Sequence, residues 1–238
     1  MTEIWSKADL HIHTNHSDGL AKVPQVMDFV QERTDLKVIA ITDHNTIEGA
    51  LFAKSLEDLY DFEVVVGEEI SSRSGHIIGL YLEDAVPAGL SAVDTVARIA
   101  GQGGIAVIPH PFANRAFGPF GLNSVGKAVN DLAFHALEVY NSSPYLIYAN
   151  RLAAKAFSGG QGIAATGGSD AHVLRAIGTG FTLFRGTTAA DLRHSIDELE
   201  THAESTRGGL SVALRYALRY PQIRRQQSWN WERCKVVR

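Results

Sequence analysis

Residues 8–20, "ADLHIHTNHSDGL", place His11, His13, His16 and Asp18 close together near the start of the chain. Successive side chains of a strand point to opposite faces, so Leu10 and Ile12 make one apolar face while His11 and His13 share the other. Two imidazoles on one face, within reach of one ion, are a chelate geometry.

Beyond this stretch, short runs rich in Val and Ile alternate with stretches of helical periodicity, the pattern of repeated βα units. The predicted strands are "ADLHIH", "LKVIAIT", "FEVVVGEE", "HIIGLYL", "GIAVIPH", "ALEVY", "GIAATGG" and "GTGFTLF". Between them, "VPQVMDFVQER", "TIEGALFAKSLEDLY", "LSAVDTVARIAGQ", "PYLIYANRLAAKAF" and "TTAADLRHSIDELE" carry apolar residues at helical spacing, the last opened by threonine caps. The unusual polar residues sit at or just past strand ends: His11, His13, Asp43, His44, Glu69, His110, Asn141, Asp170 and His172. A parallel barrel gathers its strand ends into one mouth, so residues distant in sequence become neighbours there.

The 238-residue chain is 45% hydrophobic and 20% charged, ordinary for a globular protein with one main domain. No apolar run reaches the length of a membrane span, and "MTEIWSKAD" lacks the features of a signal peptide. The expectation is a cytoplasmic protein with no membrane partner. Cys234, the single cysteine, excludes an internal disulfide framework and a thiolate-rich metal site, which leaves ten histidines as nitrogen donors. The net charge of −4 is uneven: residues 205–238 hold eight Lys and Arg against Glu232 alone. We divide the chain into a main domain, residues 1–203, and a basic C-terminal tail, residues 204–238, read as a helical face packed on the acidic body; its other reading is a contact for a phosphate polymer. His16, His135, His194 and His202 lack strand-end placement and are read as structural, His194 on an amphipathic helix and His135 in a local hydrogen bond.

The ordered series "HIHTNHSDG", "ITDHNT", "VVVGEEIS", "SGHIIGLYL", "VIPHPF", "LEVYNS" and "GGSDAH" resembles the polymerase and histidinol phosphatase (PHP) family of metal-dependent phosphoesterases. The resemblance runs from about residue 8 to residue 185 and extends through the helix ending near residue 200; it does not cover the basic tail. It implies an α/β fold, a distorted (β/α)7 TIM-like barrel, with two or three divalent ions (Mn, Zn or Fe) at its mouth. By motif, His11, His13, Glu69 and Asp170 hold the first ion. Glu69 bridges to a second held by His76 and His110, and Asp18, His44 and His172 hold a third. His16, two places before Asp18, leaves open which of the two serves the third ion.

Clustered divalent ions lower the pKa of a bridging water and clamp phosphoryl oxygens, so the expected chemistry is direct attack by metal-activated hydroxide, with Asp43, Glu69 and Asp170 as the catalytic residues and no covalent intermediate. Asp43 is read either as an acceptor that orients an imidazole or as a cap on the following helix. Arg115, Arg73, Arg175 and Asn141 are the candidates for substrate contact, since a guanidinium fork matches a phosphate. "RAFGPFGLNS" is read as a loop that covers the mouth or as an ordinary connection packed by Phe117 and Phe120. The expected substrate is a small phosphorylated molecule, a nucleotide or a sugar or amino-alcohol phosphate. The alternatives are a 5'-3' exonuclease or other nuclease using the same ions on nucleic acid, and a metal-holding module without turnover.

Overall fold

The computed structural model describes residues 4–113, 124–125, 132–143, 146–157, 162–206 and 221–222. Among them the order is β1 (Trp5–Ile12), α1 (Val23–Arg33), β2 (Leu36–Ile41), α2 (Glu48–Ser55), β3 (Glu63–Ser72), β4 (Gly75–Leu80), α3 (Ala92–Ala100), β5 (Ile105–Ile108), β6 (Ala136–Asn141), α4 (Ile147–Phe157), β7 (Ala164–Gly168), β8 (Gly180–Arg185), α5 (Ala189–Asp197) and β9 (His202–Ser205). All five expected helices form, with boundaries set by local chemistry. Helix α3 starts where Ser91 Oγ accepts the Asp94 N–H at 3.1 Å. Helix α5 starts at a reciprocal box, in which Thr188 Oγ1 accepts the Asp191 N–H (3.1 Å) and Asp191 Oδ2 accepts the Thr188 N–H (3.0 Å). None of the described helices is long and apolar enough to cross a membrane.

The strands form one sheet in the order β7-β6-β5-β4-β3-β2-β1-β8-β9. It curls into a nearly closed, distorted TIM-like barrel. The β7 end closes back on β1 and β8, where Ile12 bridges Ala171, just past β7, and where Gly167 and the Thr182 hydroxyl exchange hydrogen bonds of 2.9 and 3.0 Å. The barrel is not parallel throughout. Strand β4 pairs antiparallel with both β3 and β5, and β8 pairs antiparallel with β1 and β9. The β3–β4 connection is a tight turn at Arg73–Ser74, too short for a crossover helix, so β4 must reverse.

Two irregularities decide what faces the barrel interior. Between Asp9 and Ile12, β1 advances three residues while β2 advances two, from Ile39 to Ile41. This bulge turns the strand over. Leu10 therefore joins the interior cluster of Ala8, Val38, Val65, Val107 and Phe184, whereas Ile12 packs outward with α1 and α2 against Val26, Met27 and Ala50. Strict alternation would have put Leu10 and Ile12 on one face, so that expectation is corrected. Strand β6 slips likewise between Glu138 and Tyr140.

Strand β9 had no counterpart in the sequence reading. Its residues, His202–Ser205, carry no apolar run, but they pair with β8 from Leu183↔His202 to Gly180↔Ser205. The sheet thus extends to Ser205, two residues past the expected domain boundary at 203. The tail beyond residue 206, apart from residues 221–222, lies outside the described residues.

Candidate metal centre

Glu69 occupies the middle of the mouth. Strand β3 alternates without interruption, so Val65 fills the interior below while Glu69, four residues on, stands in the same line above it. Its Oε2 lies 3.3 Å from His11 Nε2, His13 Nε2 and His44 Nδ1; its Oε1 lies 2.8 Å from His76 Nδ1 and 3.1 Å from His110 Nε2. The β1 bulge makes this convergence possible, because it lets His11 face inward directly after the inward Leu10. Inversion of β4 accounts for His76: the strand begins at the mouth, opposite Ser71, so its first residues rather than its last face the site. A search of strand ends alone misses it.

Asp170 closes one side, with Oδ1 3.3 Å from His13 Nε2 and 3.5 Å from His11 Nε2. Asp18 anchors the other, 3.0 Å from His172 Nε2, 3.4 Å from His13 Nδ1 and 3.6 Å from His44 Nε2. His172 Nδ1 donates to the Asp170 carbonyl at 2.9 Å, which fixes the tautomer and leaves Nε2 turned toward Asp18. His16 stands apart, partly exposed and 3.7 Å from Glu48, so Asp18 is the one of that pair in the cluster.

These atoms fall into four groups able to hold an ion: His13, Asp18, His44 and His172; His11, Glu69 and His110; His11, His13 and Asp170; and His44, Glu69 and His76. The donor set fits a divalent cation. Ligands bound tetrahedrally at about 2.1 Å stand about 3.4 Å from one another, close to the separations seen here. Moreover, both ring nitrogens of His13 and Nδ1 of His110 are buried without a hydrogen-bond partner among the described residues. Backbone strain points to the same place: His110 and Asp170 hold φ values of 31° and 53°, in the left-handed region that non-glycine residues seldom adopt.

Charge polarises the cluster. Burial pushes Asp18 and Glu69 upward, but the surrounding imidazoles overcome it and hold both well below the usual carboxylate range; Asp170 is likewise depressed, chiefly by His11. Burial works against a charged His172, yet Asp18 and Asp170 raise it to about 9. His44 goes the other way, to about 4, because burial and the neighbouring His13 and His76 outweigh Glu69 and Asp18.

Comparison with known proteins places this arrangement. Residues 148–201 match the family described as PHP-associated. An uncharacterized protein of Methanocaldococcus jannaschii is 39% identical over 147 residues, which cover 57% of this chain and 82% of that one. A solved structure from Bacteroides vulgatus, a two-domain protein containing a predicted PHP-like metal-dependent phosphoesterase, superimposes with a TM-score of 0.68 at 18% identity, covering 90% of this chain and 69% of that one. The chain belongs to the PHP family of metal-dependent phosphoesterases. Phosphoric ester hydrolysis is the chemistry of that class. A further relative, a phosphoribosyl 1,2-cyclic phosphate 1,2-diphosphodiesterase of Eggerthella lenta, is 35% identical over 86 residues, 34% of this chain and 32% of that one.

Other candidates sit differently in the PHP site. Asp43 touches no imidazole and caps no helix; its carboxylate accepts from Thr14 N–H (2.7 Å), Thr14 Oγ1 (2.6 Å) and Ser17 Oγ (2.6 Å). It braces the loop that carries His13 and Asp18. Asn141 is buried, with Nδ2 donating to Glu138 at 2.9 Å and Oδ1 accepting the Ser143 N–H at 2.9 Å, so its amide is committed to the protein rather than offered to substrate. Arg73 and Arg175 are exposed in mouth-side connections. Arg115, Phe117 and Phe120 lie outside the described residues. His135 Nδ1 accepts the Ala106 N–H at 3.0 Å, His194 is exposed on α5, and the His202 ring lies against Trp5.

Glu138 is the residue that reading strand ends missed. It is buried on β6, three residues short of the end, and bonds His11 Nδ1 at 2.9 Å and the His110 N–H at 2.7 Å. A carboxylate amid the apolar run "ALEVY" was the available signal.

Proposed function

We propose that this PHP protein hydrolyses a small phosphorylated substrate, a nucleotide or a sugar or amino-alcohol phosphate, with two or three divalent ions of Mn, Zn or Fe. The observation that carries the reading is the convergence of six imidazoles and three carboxylates, from six strands and the loops after them, within ligand-to-ligand distance around Glu69. Nitrogen and oxygen donors without sulfur suit these metals.

In this reading His11, His13, Glu69 and Asp170 hold one ion, Glu69, His76 and His110 a second, and Asp18, His44 and His172 a third, with His13 and His44 facing two groups each. Bound ions supply a nucleophilic water at neutral pH and neutralise charge on the phosphoryl oxygens. The chain's own side chains do the rest. Glu69, at the centre, keeps two sets of imidazoles at fixed separation, and its depressed pKa keeps it ionised at neutral pH. Asp43 holds the Thr14–Ser17 loop so that His13 and Asp18 meet the same group. Arg73 and Arg175 flank the mouth and serve as phosphate contacts. The Eggerthella relative, named for a phosphorylated sugar, favours a compact sugar phosphate within this class.

The test is a panel of phosphorylated metabolites, cyclic phosphodiesters and short oligonucleotides run on metal-reconstituted protein. Turnover of a small phosphoester, abolished in His11→Ala and Asp170→Asn without unfolding, is expected. Turnover confined to oligonucleotides would replace this reading with a nuclease, and unchanged turnover in both variants would refute the metal site.

A further inference from the structure

The residues assigned above to ions do not explain why Glu138 is buried where it is. It lies on β6 at 3% exposure, beneath the mouth, and both carboxylate oxygens are engaged. Oε1 meets His11 Nδ1 at 2.9 Å. Oε2 accepts the main-chain N–H of His110 at 2.7 Å and the Asn141 Nδ2 at 2.9 Å. The orientation of the Asn141 amide is set independently, because its Oδ1 accepts the Ser143 N–H. With two N–H groups donating to one oxygen, Glu138 is an acceptor, and the proton in its contact with His11 belongs to the imidazole Nδ1.

A proton on His11 Nδ1 has a direct consequence. It makes Nε2, which faces Glu69 and Asp170 at 3.3 and 3.5 Å, the nitrogen that would be offered to an ion. The second bond acts on a different strand. His110 holds a positive φ of 31° between two prolines, where its N–H has no sheet partner, and Glu138 is what its N–H meets. Room for the pair comes from β7: a Cβ at Gly168 would stand 2.7 Å from both Glu138 Oε1 and His11 Cβ. The β6 bulge completes the arrangement by bringing Asn141 inward beside Glu138, three residues apart on a strand that would otherwise point them to opposite faces.

We infer that Glu138 is a positioning residue that couples two ion sites, presenting His11 to the first through its tautomer and His110 to the second through its backbone. The inference rests on the metal-site reading of the proposed function. The third group, Asp18, His44 and His172, is braced by Asp43 and by the Asp170 carbonyl, so it does not depend on Glu138.

The decisive variant is Glu138→Gln, which keeps the shape but has one oxygen and one NH2. It can accept from His11 or from His110 and Asn141, but not from both sides. Zinc and manganese binding by the intact chain, measured with competing chelators, is expected to show two ions bound about 10- to 100-fold more weakly in this variant, the range typical of a lost carboxylate partner to a ligating histidine. The affinity of any third ion is expected to stay unchanged. Glu138→Asp, too short to span both contacts, restores the charge without restoring binding.

The second readout is spectroscopic and needs no metal. Long-range 1H–15N spectra, with the His11 signal assigned by its loss in His11→Asn, are expected to show a protected proton on Nδ1 in the wild type and its loss in Glu138→Gln or Glu138→Asp. Wild-type ion affinity together with a retained Nδ1 proton in both variants would overturn the inference. A His11 proton found only on Nε2 in the wild type would overturn it as well. Should the wild type bind no ion at all, the phosphoesterase reading fails, while the Nδ1 proton in the metal-free protein still decides whether Glu138 sets the tautomer.

Discussion

The lower and upper halves of the barrel interior are built by the same strands and obey opposite rules. Below, Ala8, Leu10, Val38, Val65, Ile105, Val107 and Phe184 fill the space by regular alternation. Above, the same strands present His11, Glu69 and Glu138, two of them bulge, and His110 and Asp170, both left-handed, follow β5 and β7. The lower half is a packed hydrocarbon core, stabilising through burial and close fit. The upper half holds charged groups, strained backbone and unpartnered ring nitrogens, arrangements that persist only where surrounding structure over-determines them. What the difference teaches is that stability and reactivity are stacked along one barrel axis, with the apolar layer holding the reactive one in shape.

The largest effect that would sharpen the contrast comes from the lower layer. Phe184 is fully buried in the apolar cluster of the lower layer, and Phe184→Ala is expected to cost about 3–5 kcal/mol in chemical denaturation. Its ion affinity, measured well below the unfolding midpoint, should match the wild type. A parallel loss of ion affinity would show that the two layers are not separable.

At the seam between layers, Gly168→Ala inserts a methyl against His11 and Glu138, and overpacking there is expected to cost about 1–3 kcal/mol. Unlike Phe184→Ala, it should also weaken ion binding, because the methyl displaces the His11–Glu138 pair. Calorimetric titration with manganese checks this; full wild-type affinity would mean that the pair tolerates the intrusion.

The smallest effect is the pH dependence of the ion-stripped protein, which only the upper layer should produce. His172, raised to about 9, contributes stability that is fully present below its ordinary value of 6.5 and is lost as pH rises through about 9. The depressed Asp18, Glu69 and Asp170 contribute stability present above about 4 and lost as pH falls through their lowered values. Thermal unfolding of stripped protein should therefore show a midpoint that declines from pH 6.5 toward 9. Saturating manganese should flatten that decline, since bound imidazoles are already deprotonated. A flat profile without ions would contradict the charge pattern of the mouth.

Much of the site was legible because chemistry-bearing residues stood where a barrel collects them. His11, His13, His44, Glu69, His110, Asp170 and His172 follow strand signals closely enough that ordering the strands brings them together. His76 was reachable only through the family motif, because it opens an inverted strand. Glu138 was hidden inside its strand, three residues before the end. Asn141 was legible as a site residue but not in its role, since only the fold shows both ends of its amide already bonded.

From sequence alone came the kinds of donor available, the βα alternation, the five helices and the capping at Thr188, all of which depend on neighbours within a few residues. Tertiary structure decided the two bulges, the reversal of β4 and β8, the added strand β9 and the partners of Asp43 and Glu138. Those features are settled by register between strands far apart in the chain and by competition for interior space. Local periodicity carries no information about either, because a single extra residue in β1 is what turns His11 from the outer face to the mouth.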